Sequence, residues 1–174
     1  PSPASPAVPE YPGLRAALAL TPHAVIDAVV ASGLRGRGGA AYPTGRKWLL
    51  AARATGAPKF IVANGDEGDP GSFIDRELME RDPHAVLEGM AITAHAVGAD
   101  RGIVFIRSEY PVAAAVMTQA IKAAHDAGLL GPHSLGKGKR FEVTVVRGMG
   151  SYVCGEETAM LAAIEGQRGE VSPR

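Results

Sequence analysis

Three short apolar runs, Lys59–Asn64, Gly102–Arg107 and Phe141–Arg147, are separated by two segments of helical length, 82–98 and 111–127. Each run is rich in β-branched and aromatic residues and too short for a helix of its own, so it reads as a strand buried on both faces. Strands joined by helical crossovers pair in parallel, so the order βαβαβ predicts an α/β fold, a parallel sheet with helices packed on it. Asp82-Pro83 and Pro111 mark the helix starts, and Gly98 ends the first of these helices. Upstream, Thr21-Pro22 opens a helix running to Ser32, Gly33 stops it, and a short helix is predicted from Thr44 to Ala54. A last helix is expected from about Glu156 to Glu165.

That topology says where to look for chemistry, because open α/β sheets bind ligands outside the carboxyl ends of their strands. Two polar loops leave from those ends. The first, Asn64-Gly65-Asp66-Glu67-Gly68-Asp69-Pro70-Gly71, puts three carboxylates and an amide into a tight turn. It could recognise a cation or the hydroxyls and ring nitrogens of a ligand; the cation is the weaker reading because the ligand spacing of a calcium loop is missing, and the plainer alternative is an acidic turn capping the next helix. The second, Gly148-Met149-Gly150-Ser151-Tyr152-Val153-Cys154-Gly155-Glu156-Glu157-Thr158, starts a helix with two acids, which the helix dipole alone would favour. Neighbouring helix residues point apart, so Glu156 and Glu157 are expected to have separate jobs.

A third segment precedes the strands. Gly33 to Trp48 combines a run of glycines with Arg35, Arg37, Arg46, Lys47, Tyr42 and Trp48, a mixture suited to an anionic, planar ligand. It does not fit the dinucleotide fingerprint, which follows a strand and is answered by an acid about 20 residues on; here it follows a helix, and Gly56, Ala57 and Pro58 stand in the acid's place. The plainer alternative is a glycine-rich hinge between two helices.

With 174 residues the chain suits one domain. Its 18 basic and 18 acidic side chains cancel, which argues against a nucleic-acid binder driven by bulk charge. Runs such as Ala113–Met117 are far below membrane-spanning length, and the first residues do not read as a signal peptide. Cys154 is the single cysteine, so neither an internal disulfide nor a metal or iron–sulfur site can be built from cysteines here; a cytoplasmic location is expected. Its thiol reads as buried and inert, and His23, His84, His95, His125 and His133 as structural or surface residues without ligand spacing. Five prolines in residues 1–12 predict a flexible tail or linker ahead of a domain at 13–174.

Taken in order, the three segments resemble the NADH-accepting flavoprotein subunit of respiratory complex I. The same subunit type occurs as the beta subunit of soluble NAD-dependent formate dehydrogenases and the diaphorase subunit of NAD-reducing hydrogenases. The resemblance covers Tyr11 to Arg174. It implies a Rossmann-like FMN-binding domain without the standard fingerprint. FMN would be held by Gly36, Arg37, Gly38, Lys47, Asn64, Asp66, Tyr152, Gly155 and Glu156. NADH would meet Gly39, Tyr42, Glu67, Asp69 and Glu157. Tyr42 stands where the family commonly has phenylalanine, and Asp69 where it has glutamate. A carboxylate at Glu157, bonded to a ribose hydroxyl, would favour NADH over the 2′-phosphate of NADPH.

The implied chemistry is hydride transfer between NADH and FMN, with single electrons passed on to iron–sulfur clusters. No catalytic side chain is expected, since the flavin carries the reaction. The resemblance also implies partners: iron–sulfur subunits, including a small thioredoxin-like 2Fe–2S subunit or domain. It implies a continuation beyond Arg174, with a small sheet domain and a helical domain whose four cysteines hold a 4Fe–4S cluster, none of them in this stretch. The favoured parent is a soluble formate dehydrogenase or hydrogenase, with complex I as the alternative in the same class. A non-catalytic remnant that only binds partner subunits is the alternative of another class.

Overall fold

The structure, a computed structural model, describes residues 8–136 and 138–173. The elements run α1 (Pro12–Leu18), α2 (Pro22–Ala31), α3 (Thr44–Arg53), β1 (Phe60–Gly65), α4 (Ile74–Arg81), α5 (Pro83–Val97), β2 (Arg101–Ile106), α6 (Pro111–Asp126), β3 (Glu142–Arg147) and α7 (Glu157–Ile164). A 3-10 turn, Tyr152–Gly155, precedes α7.

The sheet has the order β1-β2-β3, and both pairs are parallel. Phe60 faces Arg101 and Arg101 faces Glu142, so the strands are in step and their ends, Gly65, Ile106 and Arg147, line up along one edge. Alternation along a strand splits the side chains between two faces. Ile61, Ala63, Val104, Ile106, Val143 and Val145 belong to the larger core, with Leu87, Met90 and Ala94 of α5 and Ala113, Met117 and Ala120 of α6. Val62, Phe105 and Val146 point the other way, onto Cys154 and Met160, Ala163 and Ile164 of α7. By the same alternation, Asn64 falls on the α7 side of the aligned edge.

The predicted strands and long helices are present within a residue or two of their expected bounds. Two helices go beyond the sequence expectation. In α4, Ile-Asp-Arg-Glu-Leu-Met-Glu-Arg, only Met79 is buried, so the segment carries no apolar stripe that would announce it. The other, α1, overlaps the segment read as a tail. Residues 1–7 lie outside the described residues, but Tyr11 is fully buried and its hydroxyl is hydrogen-bonded to His84 Nδ1, 2.9 Å away. Tyr11 and Pro12 therefore belong to the fold: a proline count registers neither the buried ring nor the helix that Pro12 opens.

Two close approaches orient the elements before the sheet. A Cβ on Gly45 would lie 2.5 Å from Val30 Cγ2 and 2.7 Å from Val30 N, so α3 seats on α2 only because position 45 is glycine. Lys59 Nζ donates to Ala52 O at 2.9 Å and Val97 O at 3.2 Å, tying the carboxyl ends of α3 and α5 to the start of β1. A ten-residue helix spans about 15 Å. The glycine loop joins α3 at its other end.

Candidate functional site

At the carboxyl edge, the loops after β1 and β3 converge. Asn64 Nδ2 donates to Gly155 O at 2.9 Å, and Asn64 Oδ1 accepts from Asp66 N at 3.1 Å. One amide thus shapes its own loop and ties it to the turn before α7. The two backbones touch: a Cβ on Gly68 would sit 3.4 Å from Tyr152 O, and one on Gly155 would sit 3.5 Å from Asp66 Oδ2. Asp66 is 3% exposed, and burial raises its carboxyl above the ordinary range against the pull of Arg107. Tyr152, whose carbonyl meets Gly68 at this junction, is itself 70% exposed.

The other carboxylates have local work. Glu67 adopts φ 38°, a left-handed conformation unusual for a residue with a side chain. Its carboxylate accepts from Asp75 N (2.8 Å), Arg76 N (3.2 Å), Ser72 Oγ (3.1 Å) and Tyr110 Oη (3.1 Å), capping α4. Burial pushes Glu67 up, yet these four donors outweigh it and hold the group below its ordinary value. Glu156 accepts from Thr158 N, Ala159 N and Thr158 Oγ1, capping α7. The plainer reading of both acidic motifs, as helix caps, is realised in these two side chains. Asp69 and Glu157 are exposed at the rim.

The glycine loop is exposed from Gly33 to Tyr42, with Tyr42 39% exposed. It closes on itself: Gly36 N donates to Tyr42 O, Thr44 N to Leu34 O, and Arg35 and Arg37 reach the carbonyls of Ala41 and Arg35. Lys47, on the first turn of α3, is exposed. Trp48 is not a ring cover, since it packs against the main core. The structure therefore joins Asn64, Asp66, Tyr152 and Gly155 directly. Gly36, Arg37, Gly38, Gly39, Tyr42 and Lys47 form a separate arm, and the hydrogen bonds of Gly36, Arg37 and Tyr42 stay within the loop.

Arg107, one residue past β2, gives little away in the sequence because it reads as the end of an apolar run. Nη1 donates to Glu67 O at 2.8 Å, Nη2 to Glu109 Oε1 at 2.8 Å, and the guanidinium lies 5.4 Å from the Tyr110 ring centroid. Its position at the carboxyl edge of the middle strand is the signal by which it could be found.

Two surface hollows lie elsewhere. One of about 400 Å³ sits at the amino edge among Lys59, Val97, Gly98 and Lys139, and none of the motif residues lines it. That hollow is open, and one of its two lysines, Lys59, is already bonded to two carbonyls, so topology and polar convergence point to the carboxyl edge instead. Cys154 is a free, buried thiol. Among the described residues no three His, Cys, Asp or Glu side chains gather as metal ligands, and no helix is long and apolar enough to cross a membrane.

Residues 29–174 match the family described as the Nuo51 FMN-binding domain. The chain is 51% identical over 161 residues to an NADH-quinone oxidoreductase subunit of Rhizobium meliloti (strain 1021), covering 92% of this chain and 38% of that one. It is 50% identical over 160 residues to the NADP-reducing hydrogenase subunit HndC of Solidesulfovibrio fructosivorans, covering 92% and 32%. A crystal structure of an NAD+-reducing [NiFe]-hydrogenase in the H2-reduced state superposes with a TM-score of 0.82 at 34% identity, over 97% of this chain and 28% of that one. The chain thus spans about a third of the length of these relatives.

Proposed function

From the premise that the chain belongs to the Nuo51 FMN-binding domain family, we propose that it is the FMN- and NADH-handling module of a multisubunit oxidoreductase. The observation that carries this reading is the junction of the loops after β1 and β3. There Asn64 is bonded to Gly155, and the buried carboxylate of Asp66 faces the same turn. Bound FMN would supply a ring able to take a hydride from NADH and release electrons singly.

The residues present suit that group. Gly68 and Gly155 let the two loops close on each other, Gly68 against the Tyr152 carbonyl and Gly155 against the Asp66 carboxylate. Asn64 and Asp66 offer an amide and a carboxylate for ring nitrogens and ribityl hydroxyls. Arg37 and Lys47 offer charge to a phosphate from the separate arm, where Gly36 and Gly38 keep the backbone bare. On this reading Glu156 serves the flavin through the turn it caps. Glu67 contributes to the NADH side by fixing the loop that presents Asp69, since its own carboxylate is turned toward α4. Tyr42 offers a ring to stack on the nicotinamide, Gly39 leaves that space bare, and Glu157 offers a carboxylate to a ribose hydroxyl.

Two parent assemblies have support. The hydrogenase neighbour favours a hydrogenase, and the NADH-quinone oxidoreductase relative favours a quinone-reducing complex I. Iron–sulfur subunits are the partners in either case, and identifying what co-purifies with the chain separates them. The domain itself is tested by titrating it into FMN and following flavin fluorescence. Quenching is expected, with Asp66→Ala weakening binding at least about tenfold, the scale of a lost charge-assisted hydrogen bond. Unquenched FMN, or equal affinity in Asp66→Ala, contradicts the proposal.

A further inference from the structure

We infer that Arg107 is a positioning residue of this site, a bracket from the middle strand that holds the Asp66–Glu67 turn in place. The inference rests on the reading that Asp66 faces the flavin. Arg107 lies outside the three motifs, at the exit of a strand that carries none of them.

The geometry is that of a fork. Nη1 holds the Glu67 carbonyl and Nη2 holds Glu109, while the ring of Tyr110 lies alongside and itself donates to Glu67 Oε2. Arg107 N also reaches Gly65 O, continuing the ladder one step past the strands. The turn is thereby pinned at both its carbonyl and its carboxylate, which matters because Glu67 holds a backbone conformation that costs energy if left unsupported. Nε is buried without a partner, so the planar group has been placed here at a cost in solvation.

Charge gives the guanidinium a second role. Burial disfavours the ionised form of Asp66, and the charged groups acting on it are Arg107, which opposes that effect, and Glu109, which adds to it; the Gly155 N–H also favours the anion. Arg107 neutralises Glu109 as well, holding that carboxyl down to about 2. Removing the guanidinium therefore takes away the cation that favours the Asp66 anion and leaves the charge of Glu109 without its cation.

The test uses Arg107→Gln, which keeps a donor for the Glu67 carbonyl but no charge, and Arg107→Lys, which keeps charge but not the fork. The protein as isolated is read in two ways: the carboxyl carbon shift of Asp66 against pH without flavin, and FMN affinity against pH. Arg107→Gln should move the Asp66 midpoint up by about one pH unit and weaken FMN near neutral pH about tenfold, with Arg107→Lys restoring the midpoint. In an Asp66→Asn background Arg107→Gln should cost much less affinity. An unmoved Asp66 midpoint in Arg107→Gln overturns the inference, as does an equal loss of FMN affinity with and without Asp66. If Arg107→Gln does not fold, an Asp66 midpoint in Arg107→Lys raised above that of the wild type overturns it. Wild-type protein that never binds FMN sinks the functional reading instead, and the flavin-free titration still decides the role of Arg107.

Discussion

Glu67 shows how one side chain in a site can serve the fold. Its four donors stabilise the anion, so the folded value lies below 4.5, the ordinary value for the unfolded chain. A depressed carboxylate contributes stability that is present above the unfolded value and lost as pH falls through the folded one. Glu67→Ala should therefore lower stability by about 2 kcal/mol near neutral pH, because it strips a partner from several donors. Thermal melts of both proteins should converge as the pH is lowered below about 4.5; a gap that stays constant or widens in acid contradicts the assignment. Glu157 has the opposite character, exposed at the rim. Glu157→Ala should narrow the preference for NADH over NADPH in ferricyanide reduction, and an unchanged ratio removes Glu157 from nucleotide selection. A 50% identical relative is a subunit of an NADP-reducing hydrogenase, which makes that ratio worth measuring. At this scale the residue types in the loops were legible in the chain. The direction each carboxylate faces was not, since turning Glu67 inward depends on α4, Tyr110 and a left-handed backbone that no spacing rule expresses.

Among the elements, legibility followed apolar content. β1, β2 and β3 announced themselves because each is short, continuous and apolar, and α5 and α6 because Asp82-Pro83 and Pro111 open them with long apolar faces. α4 and α1 stayed hidden because their stability is borrowed: α4 leans on the Glu67 cap, and α1 on the buried ring of Tyr11. The crossing of α2 and α3 gives an element-scale prediction. Gly45→Ala puts a methyl group against Val30 main-chain atoms that cannot rotate aside, and should cost about 1–3 kcal/mol, the usual toll of overpacking. Chemical denaturation should show a lower midpoint at an unchanged slope; full retention of stability would mean that α3 does not sit this close to α2.

At the scale of the molecule, the parallel sheet followed from the βαβαβ pattern, and parallel strands bring their exits to one edge. What topology does not provide is the seating of the glycine loop, which forms a separate arm ahead of α3. In the proposed function these parts form one flavin and nicotinamide site, and one spectrum tests whether they do. Protein reconstituted with FMN should show the flavin absorbance bands and lose them when NADH is added without oxygen. Protein that stays colourless after reconstitution, or holds FMN whose bands persist under excess NADH, contradicts that assignment.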